Sequence, residues 1–361
     1  MSHLQNIDRK LDLCFLGPMV GRNPGKVTTQ GEILSDLFAQ EGHRVVCSSR
    51  SRFRLVRWAE ITKTVLREGK AADVVILQVF GGRSFLVEDT TSYLVRSLGI
   101  PLVMFLHGGA LPEFMQAYPR WSRNVLSRAD LLVSPTTYLR NAVGKYGFHA
   151  EIVPNVVDLS CTPYTLRAGP LRPRLFWMRA FHPIYDPQTA IRAFVRVRSV
   201  HPGATLVMGG HDKGLQAPTE SLARELGVRD AIQFVGFLDV PGKLREFAAN
   251  DIFITTNRID NMPVSVLEAC ASGLPVVSTN VGGIPDFITH EKNGLLVDVG
   301  DDAAMASAVN RLLAEPALAE RLRANGKILA DECSWPVVRA KWDELFSRLK
   351  TPVANSFEAV S

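Results

Sequence analysis

Short unbroken apolar runs alternate along this chain with longer stretches in which apolar residues return at helical spacing. In the first half the runs are Leu11 to Leu16, RVVCSS from Arg44, Asp73 to Val79, Pro101 to His107, Asp130 to Pro135 and Glu151 to Pro154. Runs of about four to eight apolar residues bounded by turn residues read as buried strands, and the stretches between them as helices. That alternation predicts a parallel sheet wrapped by helices. A Pro- and Arg-rich stretch of little periodicity, Asp158 to Pro173, reads as a linker. The rhythm then restarts, with strands at Leu175 to Arg179, Thr205 to Gly209, Ile232 to Val235, Ile252 to Thr255 and Val276 to Thr279. Amphipathic helices follow from about Asp302 to Glu315, Pro316 to Asp331 and Pro336 to Leu349, and the polar tail TPVANSFEAVS is expected to fray. A chain of 361 residues is long for one domain. The division expected is 1–165, 166–335 and a terminal helix with its tail over 336–361.

The densest chemistry lies between Asp260 and Asp286. Asp260 and Asn261 are expected to cap a helix whose first turn takes Pro263, where a missing N–H costs nothing. Gly273 and Pro275 stop that helix. Val276 to Thr279 is a short strand, and the paired Gly282 and Gly283 form a tight turn into another short helix. Two acids, Asp260 and Glu268, thus flank one helix start, with a second bare helix N-terminus nearby. Such an arrangement suits a ligand that carries hydroxyls and phosphates.

A cationic glycine-rich loop, GPMVGRNPGKVTTQGE, follows the first strand at the sheet edge where ligands gather in open α/β folds. Gly17-x-x-x-Gly21 is not a dinucleotide fingerprint, and no acid ends the next strand, which argues against a nicotinamide-dependent dehydrogenase. His107 ends the fourth run and is followed by Gly108 and Gly109. A lone histidine is more often structural than functional; its place past a central strand, with two glycines clearing space, favours a role at a site.

Charge adds one feature. Residues 1 to 160 hold 19 lysines and arginines against 14 acids, whereas the remainder holds 22 against 22, so the net excess of +5 lies in the first half. Between Arg44 and Lys70 eight basic residues face two acidic ones, interleaved with Phe53, Leu55, Val56, Trp58, Ile61 and Val65. Such a segment is either an ordinary solvated helix face or a surface for an anionic membrane or acceptor, with Arg50, Arg52, Arg54 and Arg57 as its contacts. An excess confined to one segment argues against nucleic acid. The start, MSHLQNIDRKLD, lacks the apolar core of a signal peptide, and no apolar run is long enough to span a bilayer. A cytoplasmic protein, peripheral on the inner face of the membrane where the basic segment engages it, is expected. Cys14, Cys47, Cys161, Cys270 and Cys333 are scattered without a C-x-x-C pair, which favours buried reduced thiols over disulfides or zinc.

The pattern E-A-x-A-x-G-x-P-V-V-x-x-x-x-G-G-x-P, Glu268 to Pro285, resembles the donor-binding signature of the retaining glycosyltransferase family four. IVPNVVDLS, from Ile152, is similar to that family's I-P-N-G-V-D segment, and LFWMRAF, from Leu175, to its strand leading into a Gly-Arg pair. The resemblance implies the α/β GT-B fold: two facing Rossmann-like domains, the first for the acceptor and the second for the nucleotide-sugar donor, with a C-terminal helix returning toward the first.

Carried onto this chain, the resemblance gives Glu268 to the ribose hydroxyls and Asp260 to the transferred sugar, as the first acid of an E-x7-E pair shortened by one methylene. Asn261, Met262, Pro263 and Val264 would present the helix start to sugar or phosphate, although Pro263 has no N–H to give. Gly282 and Gly283 would let the chain pass close to the ligand. Arg179 matches the donor-phosphate arginine, whose fork suits a diphosphate. The lysine that the family usually places shortly after it is missing from HPIYDP. Lys213, in GGHDKG, is the first candidate replacement and Lys26 the second. His107 would contact the sugar, and Gly17 with its loop would receive diphosphate or acceptor. The reaction implied is retaining transfer from a nucleotide diphosphate-sugar to a hydroxyl acceptor, whether glycan, lipid-linked glycan or small molecule. It calls for no cofactor, and for no metal where Arg and Lys neutralise the phosphates; the nearest acidic pair, Asp301-Asp302, opens a helix. A weak or silent relative that binds nucleotide-sugar without transfer is the alternative.

Overall fold

The computed structural model describes residues 10–21, 23, 25–159, 162, 164–165 and 169–349. Cys161 and the tail from residue 351 lie outside these, as do parts of the opening segment and of the linker.

Six strands form the first sheet: β1 (Asp12–Leu16), β2 (Arg44–Ser48), β3 (Val74–Val79), β4 (Leu102–Leu106), β5 (Leu131–Ser134) and β6 (Ala150–Ile152). Six more form the second: β7 (Arg174–Met178), β8 (Thr205–Gly209), β9 (Ile232–Gly236), β10 (Ile252–Thr255), β11 (Val276–Thr279) and β12 (Leu295–Val297). Every pairing is parallel, in the orders β2-β1-β3-β4-β5-β6 and β12-β11-β10-β7-β8-β9. Strands such as β3 and β4 are buried at every residue, as expected when helices cover both faces. The chain direction across each sheet reverses between β1 and β3 and between β7 and β10. At such switch points the loops splay apart and leave a crevice at the carboxyl ends of the strands. Gly17 follows β1, Arg179 follows β7, and Asp260 lies in the loop after β10.

The last helix, Trp335–Leu349, belongs to the core of the first half. Its Val338, Trp342 and Phe346 are buried in one cluster with Phe15, Phe38 and Phe105. Rings of this size each remove on the order of 150–250 Å² from water, which anchors the helix by several kcal/mol at about 25 cal/mol per Å². Trp335 donates to Glu41 at 2.7 Å, Arg339 to the same carboxylate at 2.6 Å, and Arg348 to Glu151 at 2.6 Å. The expected return of the C-terminal helix is thereby realised.

Two expectations are corrected. The helix Val264–Ala271 begins after Pro263, which is its N-cap, and neither Asp260 nor Asn261 caps it. Cys47 is exposed while Cys14, Cys270 and Cys333 are buried; it lies on β2, an edge strand with a neighbour on one side only. The strand β12 was not foreseen. Among the described residues no helix is long and apolar enough to cross a membrane.

Candidate active site

The loop after β10 lies against the loop after β4, so the two halves touch at the proposed sugar position. A Cβ on Gly109 would stand 2.9 Å from the Asp260 carbonyl carbon and 3.2 Å from the Asn261 nitrogen. Only glycine allows that approach. Asn261, buried, accepts from the Thr136 hydroxyl and donates to the His107 carbonyl at 3.5 Å. Asn155, from the IVPNVVD segment, donates to the Met262 carbonyl at 2.8 Å. Asp286 accepts at 2.6 Å from the backbone N–H of Tyr138, which opens the helix Thr137–Gly144. A carboxylate of the second half thus caps a helix of the first, where the helix dipole favours a negative charge.

Asp260 is ion-paired with Arg179, accepts from Asn257 at 2.8 Å, and accepts the N–H of Asn261 at 2.8 Å. Burial pushes its carboxyl above the usual carboxylate range, against the pull of Arg179 and the Asn261 N–H. The Arg179 guanidinium lies 4.1 Å over the Tyr185 ring, and its Nε is buried without a hydrogen-bond partner. Stacking and the ion pair fix the fork while leaving a donor unused, a fitting state for a phosphate-binding arginine.

Glu268 is ion-paired with Lys243, on the helix Val240–Ala249. The sequence reading missed Lys243, since 25 residues separate it from its partner. The helix Val264–Ala271 starts without a side-chain cap, and the Ser265 hydroxyl is buried without a partner. Gly282 and Gly283 are close to protein: a Cβ on Gly282 would fall 1.9 Å from the Asp260 carbonyl oxygen, and one on Gly283 2.5 Å from that of Asn261. The clearance they provide is taken by the Asp260–Asn261 backbone, and in this way they shape the loop after β10.

His107 lies between Phe105, with ring centroids 4.1 Å apart, and Phe80, stacked at 5.2 Å. One ring nitrogen, Nε2, is 2.5 Å from the Gln78 amide oxygen. Burial drives its pKa down to about 3, so the imidazole is neutral near neutral pH. With the amide oxygen as acceptor, Nε2 carries the proton. Gln78 also fills the space that a Cβ on Gly17 would need, at 2.8 Å, and Gly17 donates its N–H to Ser48 at 2.8 Å. The loop beyond is held by Glu32, which takes the Gly21 N–H at 2.8 Å and forms a capping box with Thr29.

His211, stacked on Phe237 at 4.3 Å, has its pKa lowered by burial and then by the nearby charges of Lys26 and Lys213. A Cβ on Gly25 would lie 3.7 Å from the His211 ring, and His211 Nε2 is buried without a partner. The charges of Lys26 from the first half and Lys213 from the second thus both bear on His211.

Residues 172–328 match the glycosyl transferases group 1 family, and residues 35–160 match glycosyltransferase family 4. The chain is 25% identical to a glycogen synthase of Mycobacterium tuberculosis over 290 residues, 75% of this chain and 69% of that protein. It is 30% identical to a D-inositol 3-phosphate glycosyltransferase of Acidothermus cellulolyticus over 259 residues, 62% of this chain and 57% of that protein. Among solved structures, sucrose-phosphate synthase from Thermosynechococcus elongatus superposes with a TM-score of 0.75 at 17% identity, over 94% of this chain and 99% of that one. Anabaena HepE, solved with UDP and glucose, superposes at 0.74 and 17% identity, over 93% and 99%. These likenesses establish the two-domain GT-B fold.

Proposed function

We take as premise that the chain belongs to the group 1 and family 4 glycosyltransferases, and propose that it moves a sugar, with retention of anomeric configuration, from a nucleoside diphosphate to a hydroxyl acceptor. The observation that carries the reading is the meeting of Arg179, Asp260 and Asn261 with His107 and Gly109 where the carboxyl edges of the two sheets face each other. Glu268 takes the ribose, a carboxylate being able to accept from two vicinal hydroxyls. Arg179 takes the diphosphate, with Lys213 and Lys26 closing on it as charge accumulates on the leaving group. In this reading the cationic set takes over the work of the missing lysine, and no metal is called for. Asp260 orients the sugar and tempers its developing positive charge, while neutral His107 offers a polar contact without competing for the acceptor proton. That proton passes to the leaving phosphate oxygen on the same face of the sugar.

The acceptor enters along the first half, whose Arg50 to Arg57 stretch suits an anionic membrane surface on the cytoplasmic side. The uridine nucleotide bound by HepE makes a uridine diphosphate sugar the first donor to try. Thermal-shift measurements against a panel of nucleotides and nucleotide sugars test the donor, since a ligand of the folded state raises its melting temperature. Proton NMR of the anomeric signal in the product tests retention. A panel without any stabilising nucleotide would overturn the reading. The closed Asp260–Arg179 pair also favours a second reading, a protein that binds nucleotide-sugar and transfers weakly or not at all. Donor binding without diphosphate release identifies that case.

A further inference from the structure

The basic segment is half of a larger surface. The helix Arg54–Glu68 buries only Ile61 and Val65, and Arg54, Leu55 and Val56 of its first turn are exposed. Phe53 is 71% exposed and Leu55 82%. Trp58 donates its indole N–H to Thr90 at 2.8 Å, which lays the ring across the helix Phe85–Ser97. On that helix Leu86, Thr90 and Tyr93 share one face, and Leu86 and Tyr93 are 61% and 66% exposed. Two neighbouring helices therefore present one apolar strip, far from the lone apolar residues common on any surface.

Cations edge this strip. No carboxylate pairs with Arg50, Arg52 or Arg54 among the described residues, and Arg83 precedes the second helix in an exposed turn. Arg57 is different: it turns back to donate to the Ser51 carbonyl at 3.2 and 2.9 Å and so braces the helix start. The strip also borders the cleft. Asn23 of the glycine-rich loop donates to the Arg50 carbonyl at 2.9 Å, and Phe80, just before the turn that leads to Leu86, is the ring stacked on His107.

We infer that these two helices form one docking platform for an anionic phospholipid bilayer, inserting Phe53, Leu55 and Leu86 beside arginines at headgroup level. Exposed apolar side chains next to unpaired cations fit the boundary where acyl chains meet anionic headgroups. An ordinary solvated face would not expose them. Docked in this way, the protein turns the first wall of its cleft toward the membrane, and a lipid-borne hydroxyl becomes the acceptor within reach. This last step rests on the glycosyltransferase reading, whereas the docking itself does not.

The test is flotation of the full chain with vesicles of phosphatidylcholine containing phosphatidylglycerol, and with phosphatidylcholine alone, at physiological salt. Wild-type protein is expected to float with the anionic vesicles and to stay behind with the neutral ones. Arg50→Gln/Arg52→Gln/Arg54→Gln is expected to weaken partition by about a hundredfold, at the usual contribution per basic residue. Leu55→Glu/Leu86→Glu should release the protein although every arginine remains. Full flotation of this double variant, or no flotation of the wild type, overturns the platform. Each variant is also melted with and without uridine diphosphate: a nucleotide response unchanged from wild type assigns a flotation loss to the surface, and a missing response in wild type strikes the donor reading alone.

Discussion

Lys243 Nζ rests on Oε1 of Glu268, so the carboxylate assigned to the ribose is already partnered by a cation on the next helix. The pair is only partly exposed. A carboxylate held in this way is fixed in place, ready to accept sugar hydroxyls. Glu268→Ala is expected to lower donor binding and turnover by about a hundredfold, through loss of a charged hydrogen-bond partner. Lys243→Met should raise the donor KM by roughly three- to tenfold while kcat changes less, since it removes support for the ground state and the transition state alike. Steady-state kinetics on both variants separates the cases, and a Lys243→Met enzyme with wild-type KM would remove Lys243 from the donor site.

Arg179 answers to Asp260 on one side and to Tyr185 on the other. Arg179→Lys keeps the charge but loses the planar fork and the stacking, so kcat is expected to fall at least about tenfold. Asp260→Asn removes the charge opposite Arg179 and should cost turnover more than donor affinity, which isothermal titration with the nucleotide diphosphate alone can check. Equal losses in both would place Asp260 in nucleotide binding and away from the sugar.

Gly109 and Gly282 approach the same backbone from opposite halves. Gly282 has φ of 59° and no room for a Cβ, so Gly282→Ala is expected to destabilise the fold by more than about 2 kcal/mol in urea unfolding. Gly109→Ala pushes on Asp260 across the cleft, and its cost should appear in kcat, with melting temperature and nucleotide affinity nearly unchanged. A Gly109→Ala enzyme with wild-type kcat would show that the halves need not approach this closely during turnover.

Strong patterns were legible in the sequence where burial alone decides the structure. The strands at Thr205–Gly209, Ile252–Thr255 and Val276–Thr279 came out residue for residue, because each is a short β-branched or apolar run close to turn residues. The strand Leu295–Val297 was missed, for three residues are too few to show a period. Pairings set by sheet order were beyond reach. Lys243 meets Glu268 only because the segments after β9 and β10 come together beyond the sheet edge, and the charges of Lys26 and Lys213 reach His211 from opposite halves. The motif around Gly282 pointed to a ligand, yet its tight approach proved to be with the Asp260 backbone.

Glu88 and His107 should give the stability curve an unusual shape. Glu88 is buried, accepts from the Phe80 N–H at 2.9 Å and the Ser84 hydroxyl at 3.0 Å, and burial lifts its pKa from 4.5 to about 7. Between those values the folded state holds a proton that the unfolded chain has lost, so stability falls as pH rises from 4.5 to about 7. His107 acts with the opposite sign: the unfolded imidazole takes a proton below 6.5 while the folded one resists until about 3, so stability falls as pH drops through that range. From 4.5 to 6.5 the two slopes oppose each other, and the wild type is expected to be nearly flat on their account. Glu88→Gln removes one of them. In urea unfolding its stability should then fall by about 1.4 kcal/mol for each pH unit below 6.5, and His107→Gln should show the reverse slope. Parallel curves for wild type and Glu88→Gln would mean that Glu88 ionises normally in the fold.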